Sequence, residues 1–105
     1  IMPGLEISSE ALTSKTAKLP EIAIKPIDTL VNKDTISAMQ AGLFLGYIGS
    51  VEYLIKRFKE EIQKDLKVIA TGGLGRIISE NTDSIDIYDA KLTFKGLKKI
   101  YDLNR

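Results

Sequence analysis

Residues 67–74 read Lys67-Val68-Ile69-Ala70-Thr71-Gly72-Gly73-Leu74, a short apolar run that stops at two glycines. Val68, Ile69 and Ala70 suit a buried strand, the glycine pair marks a turn, and Leu74, Ile77 and Ile78 then recur at helical steps. Strand, glycine turn and helix in that order predict an α/β layer architecture. Downstream, residues 84–88 alternate Ile85 and Ile87 with Asp86 and Tyr88, the pattern of a second strand. Thr93 is then placed to cap a last helix in which Phe94, Leu97, Ile100, Tyr101 and Leu103 line one side.

Upstream, Asp34 is a natural N-cap, and Ile36, Met39, Leu43, Tyr47, Val51, Leu54, Ile55, Phe58 and Ile62 follow at steps of three and four. These predict a long helix. Its first half is apolar or small nearly all round, with Ala38, Ala41, Leu45 and Ile48, and is expected to be buried. Its second half carries Glu52, Lys56, Lys59, Glu60 and Gln63 and is expected to be half solvated. Further out, residues 26–33 read as a loop. Residues 21–24, alternating between Pro20 and Pro26, read as a short edge strand, and residues 8–18 read as a helix that Pro20 ends. The chain contains no internal repeat, low-complexity tract or long linker.

A chain of 105 residues with 44% hydrophobic residues can bury a modest core, so one compact domain is expected and disorder is not. The net charge of +1 is spread along the sequence and gives no basic face, which argues against a nucleic-acid partner. With no His and no Cys, the chain cannot build a Ser-His-Asp or Cys-His nucleophilic site, a thiolate zinc site or a redox dithiol. Carboxylates, hydroxyls, lysines, arginines and backbone amides remain. The longest weakly polar run, residues 41–51, is well short of the roughly 18 residues a membrane span needs. No secretory signal is visible, and the start at Ile1 reads like the interior of a longer protein.

Among the features that could carry chemistry, Thr71-Gly72-Gly73 lies at the carboxyl end of a strand, where ligands sit in open α/β sheets and where glycine lets backbone come close. The pair can equally be simple strand-to-helix geometry. It is not a phosphate-binding loop of the Gly-x-x-x-x-Gly-Lys-Ser/Thr kind. Asn32-Lys33-Asp34-Thr35 brings a carboxylate, a hydroxyl and unpaired amides to a positive helix end, which suits an anionic or hydroxylated ligand or serves only as a cap. Gly42, Gly46 and Gly49 share nearly one helix face. Each costs about 1 kcal/mol relative to alanine, so close packing is expected there, either inside the domain or at a subunit interface. Lys91, Lys95, Lys98 and Lys99, interleaved with Asp89 and Asp102, read as a solvated face. Asp83, Asp86 and Asp89 lack the glycine turn and terminal glutamate of a calcium loop and read as strand-edge and capping residues, so no metal site is expected.

Several stretches, taken in order, resemble the C-terminal half of type III pantothenate kinases over nearly the whole chain. They are Ile1-Met2-Pro3-Gly4, Ser9-Glu10-Ala11-Leu12, Thr16-Ala17-Lys18-Leu19-Pro20, Lys33-Asp34-Thr35 with Ala38-Met39-Gln40-Ala41-Gly42, Val68-Ile69-Ala70-Thr71-Gly72-Gly73-Leu74, and Leu92-Thr93 with Gly96-Leu97 and Ile100-Tyr101. The resemblance implies the C-terminal lobe of an actin-like (ribonuclease H-like) ATPase fold, with short strands and a long buried helix. Residues 1–105 would then form a single partial domain of a bilobal kinase whose N-terminal lobe is absent from this chain. The implied activity is ATP-dependent phosphorylation of pantothenate, the first step of coenzyme A biosynthesis, in a cytoplasmic homodimer. It also implies Mg2+ and a monovalent cation, K+ or NH4+.

By the same resemblance Thr35 contacts pantothenate, Gly72 and Gly73 lie against the adenosine side of ATP, and the long helix belongs to the dimer region. The family's Asp-x-Gly-Asn-Thr phosphate loop, the Gly-x-Asp-Arg segment with the catalytic aspartate, and the Asp-x-Gly-Thr element are not in these residues. No catalytic residue is therefore expected here, and the isolated piece is expected to be inactive. Smaller departures are Asn32, where the family usually has glycine, and Gly75, where many members have alanine. The alternative reading is a relative with the same lobe that has lost kinase activity and acts through protein contacts, or a dimerisation domain built on Gly42, Gly46 and Gly49.

Overall fold

The computed structural model describes residues 1–15 and 18–105. It is an α/β chain of four helices and a small sheet, in the order α1 (Leu5–Ser14), α2 (Thr35–Ile62), β1 (Ile69–Ala70), α3 (Gly73–Glu80), β2 (Ile87–Tyr88) and α4 (Leu92–Asn104). It divides into two compact units, Ile1–Leu54 and Ile55–Arg105.

In the first unit, α1 begins three residues before the sequence expectation and ends at Ser14. Of the helix expected over residues 8–18, Thr16 and Ala17 lie outside the described residues. The helix starts at Gly4, whose carbonyl accepts both the Ser8 N–H at 3.0 Å and the Ser8 hydroxyl at 2.9 Å. The strand expected over residues 21–24 does not form. The Ala23 carbonyl is instead satisfied by a side chain: Gln40 Nε2, from the 7% exposed Gln40, donates to it at 3.2 Å. A buried amide must find a partner, and this one ties the irregular segment to α2.

α2 runs as a long helix, but burial along its first half leaves one side open. Met39, Gln40, Ala41, Phe44 and Ile48 are buried together with Leu5 of α1, whereas Ile36 and Ala38 are exposed. The expectation of a helix buried nearly all round is therefore corrected. At about 100° per residue, Gly42 and Gly46 lie roughly half a turn from the Gln40, Phe44 and Ile48 stripe. Gly42, Gly46 and Gly49 are exposed, and a methyl group built on any of them would meet nothing within 4 Å. The glycines are not explained by packing within the described residues.

In the second unit, β1 and β2 pair in parallel, Ile69 opposite Ile87 and Ala70 opposite Tyr88, with α3 connecting them. This is the strand, turn, helix and strand order expected of the sequence. Short as it is, the ladder is extended by a side chain: Asp86 Oδ2 accepts the Val68 N–H at 2.8 Å, and the Asp86 N–H donates to the Val68 carbonyl at 2.9 Å. Ile78 of α3 is buried at 5% exposure. Gly75 packs α3 against β1, since a Cβ there would lie 3.9 Å from Ala70 Cβ, an ordinary contact.

α4 starts at Leu92, so Thr93 does not cap it. Asp89 serves the turn before it, accepting the Lys91 N–H at 3.0 Å on Oδ1 and Lys95 Nζ at 2.8 Å on Oδ2. The residues expected to line its apolar side are all exposed, from Leu97 at 58% to Leu103 at 74%. Lys95 pairs with Asp89 and Lys98 with Asp102, each at 2.8 Å, and ion pairs this exposed add little stability. No helix of the described residues is long and apolar enough to cross a membrane.

Candidate functional site

The glycine turn is built by competing local demands. β1 must stop and α3 must start within two residues, and Gly72 accommodates this at φ +90° and ψ 163°, a backbone conformation that side chains rarely adopt. Gly73 follows as the first residue of α3, and no side chain caps that helix start. A methyl group on either glycine would meet no atom of the described residues within 4 Å, so both present backbone that these residues leave open.

One side chain braces the turn. The Tyr88 hydroxyl, at the end of β2, donates to the Gly72 carbonyl at 2.6 Å. The Arg76 guanidinium, one turn into α3, lies over the same ring at 4.9 Å from its centre, a cation–π contact. Beside this pair is a concavity of about 380 Å3 bordered by Ser79, Glu80, Asp89 and Lys91 as well. The Lys95 ammonium, and after it the Lys91 amide, hold the Asp89 carboxyl below its ordinary range.

A second candidate stands at the start of α2, in the other unit. Asp34 Oδ1 accepts the Ser37 N–H at 2.8 Å, the N-cap expected from the sequence. That bond is the main reason the Asp34 carboxyl titrates below its ordinary value of 3.8. Asn32 Nδ2 donates to the Thr29 carbonyl at 2.8 Å and folds the preceding loop back on itself. Thr35, the first residue of α2, is exposed beside the cap. Asp34 is thus engaged by its own helix, and Thr35 is the exposed hydroxyl at that end.

The sequence model of the type III pantothenate kinase family matches residues 1–57. The chain belongs to that family. The family match takes in α1, the loop to α2, Thr35 and most of α2, and it ends before the Gly72–Gly73 turn. The two candidate sites therefore differ in their relation to the family match. The start of α2 lies inside the matched region, while the glycine turn rests on its own geometry and on the motif resemblance.

Among the described residues no group of three or more acidic, His or Cys side chains comes together to hold a metal ion. Asp86 and Asp89 are engaged with backbone and Lys95. Sequence reasoning missed Tyr88, Arg76 and Gln40. The signal for Tyr88 was the strand pairing itself: a long polar side chain opposite Ala70, two residues before Gly72, is positioned to reach past the end of the neighbouring strand.

Proposed function

We propose that these residues form the C-terminal, actin-like lobe of a pantothenate kinase, which transfers the γ-phosphoryl group of ATP to the hydroxyl of pantothenate. The observation that carries this is the family match over residues 1–57, supported by the βαβ unit with its open glycine turn that follows. In this reading the exposed Thr35 hydroxyl hydrogen-bonds pantothenate at the start of α2. The backbone of Gly72 and Gly73 forms a wall for the adenosine part of ATP, where the lack of side chains lets a flat base approach.

Phosphoryl transfer also needs a cation against the phosphates and a carboxylate to orient the acceptor hydroxyl. In this reading both, together with Mg2+ and the monovalent cation, belong to a second lobe of the same protein. The side of α2 that carries Gly42, Gly46 and Gly49 is proposed as dimer surface. Among the described residues nothing comes within 4 Å of a Cβ added at any of these glycines, so the face is open to close approach.

The test is ADP release by the full-length protein with ATP and Mg2+, with and without pantothenate, beside the 105-residue piece. Pantothenate-dependent release by the full-length protein alone is expected. A well-folded full-length protein that releases no ADP would replace the kinase with a non-catalytic relative acting through protein contacts.

A further inference from the structure

We infer that Tyr88 is a positioning residue for nucleotide binding: its hydroxyl sets the orientation of the Gly72–Gly73 peptide unit against which ATP is read. The inference rests on the proposal that this turn meets the nucleotide. It begins with the freedom of glycine. Gly72 tolerates φ +90° where other residues would not, but nothing in glycine itself selects that value over many others. A turn that must present backbone to a ligand pays for such freedom on every binding event, because ordering it costs entropy.

Tyr88 removes that freedom from three directions. Its backbone is held in register opposite Ala70, and the Asp89 N–H that follows donates to the Ala70 carbonyl at 2.9 Å. Its ring is flanked by Arg76 from α3. Its hydroxyl then reaches the Gly72 carbonyl at 2.6 Å, inside the normal range for an O–H···O bond. The peptide linking Gly72 to Gly73 is planar and trans, so its C=O and N–H point in opposite directions. Fixing the Gly72 carbonyl toward Tyr88 therefore turns the Gly73 N–H, the first donor of the uncapped α3, away from Tyr88. A hydroxyl on β2 thereby sets the direction of a donor on α3.

Tyr88→Phe isolates this role, because the ring and the Arg76 contact remain and only the hydroxyl is lost. Gly73→Val serves as its companion: Gly73 has helical backbone and open space around its Cβ position, so the added side chain obstructs a ligand without straining the turn. Both are made in the full-length protein, and ATP and pantothenate affinities are measured by calorimetry together with the thermal midpoint. Tyr88→Phe is expected to weaken ATP about 3- to 10-fold, the worth of one hydrogen bond, while pantothenate affinity stays near wild type and the midpoint falls by at most a few degrees. Gly73→Val is expected to weaken ATP as well. Wild-type ATP affinity in Tyr88→Phe with weakened ATP in Gly73→Val would overturn the role of Tyr88 and leave the turn as nucleotide wall. Wild-type ATP affinity in both would remove the turn from the nucleotide site and the inference with it. Equal loss of both ligands with a lowered midpoint in Tyr88→Phe would make the hydroxyl structural only.

Discussion

The starts of α2 and α3 meet the same problem in opposite ways. Every helix begins with backbone N–H groups that have no partner inside it. At α2 a carboxylate takes one of them, Asp34 accepting the Ser37 N–H, and the exposed Thr35 hydroxyl stands beside the cap. At α3 no side chain caps the helix, the preceding residue is a glycine at φ +90°, and the bracing comes from a tyrosine on a neighbouring strand. The difference shows where the chain commits its own groups and where it withholds them. A side chain is offered at the first start and bare backbone at the second, and the proposed function gives the first to pantothenate and the second to ATP.

The largest expected effect breaks the comparison at its strained end. Gly72→Ala meets no neighbouring atom, so its cost is purely one of backbone conformation, on the order of 1–3 kcal/mol in chemical denaturation. An alanine variant as stable as wild type would mean that the turn relaxes freely and that glycine is not required there. Of comparable size, but read in association rather than folding, Gly46→Leu tests the open side of α2. Placing a large side chain in a tight subunit contact costs about 1–3 kcal/mol, so sedimentation of the full-length protein should show the proposed dimer weakened about tenfold or more. An unchanged dimer would take that helix face out of the interface.

The smallest effect sharpens the capped end. Asp34→Ala should lower the thermal midpoint by a few degrees at neutral pH, and the loss should depend on pH. Because folding depresses the Asp34 pKa, its contribution is present above the ordinary value of 3.8 and fades as pH falls through the depressed one. Wild type and variant should therefore converge under acid. A difference that persists at pH values well below 3.8 would mean that something other than the carboxylate cap was lost.

How far the sequence could be read follows from the range of the interactions involved. The Asp34 cap spans three residues and the glycine turn is punctuation within one segment, so both were legible. The α/β order followed from them. The strand expected over residues 21–24 had the right alternation, but strand formation depends on a partner, and Ala23 finds its partner in the Gln40 side chain. Thr93 had the composition of a cap, yet the turn before α4 is organised by Asp89 through Lys91 and Lys95. The exposed row of Phe94, Leu97, Ile100 and Tyr101 was correctly grouped on one side of a helix, but grouping does not say what covers it. Tyr88 was invisible as a brace because its hydrogen bond closes across sixteen residues and depends on the parallel register of two-residue strands.

The most direct measurement is a crossed titration of the full-length protein, in which Thr35→Ala and Gly73→Val are each titrated with pantothenate and with ATP. Thr35→Ala should lose about 3- to 10-fold in pantothenate affinity and leave ATP unchanged, and Gly73→Val should weaken ATP and leave pantothenate unchanged. Both variants weakening the same ligand, or neither weakening any, would contradict the assignment of one helix start to each substrate.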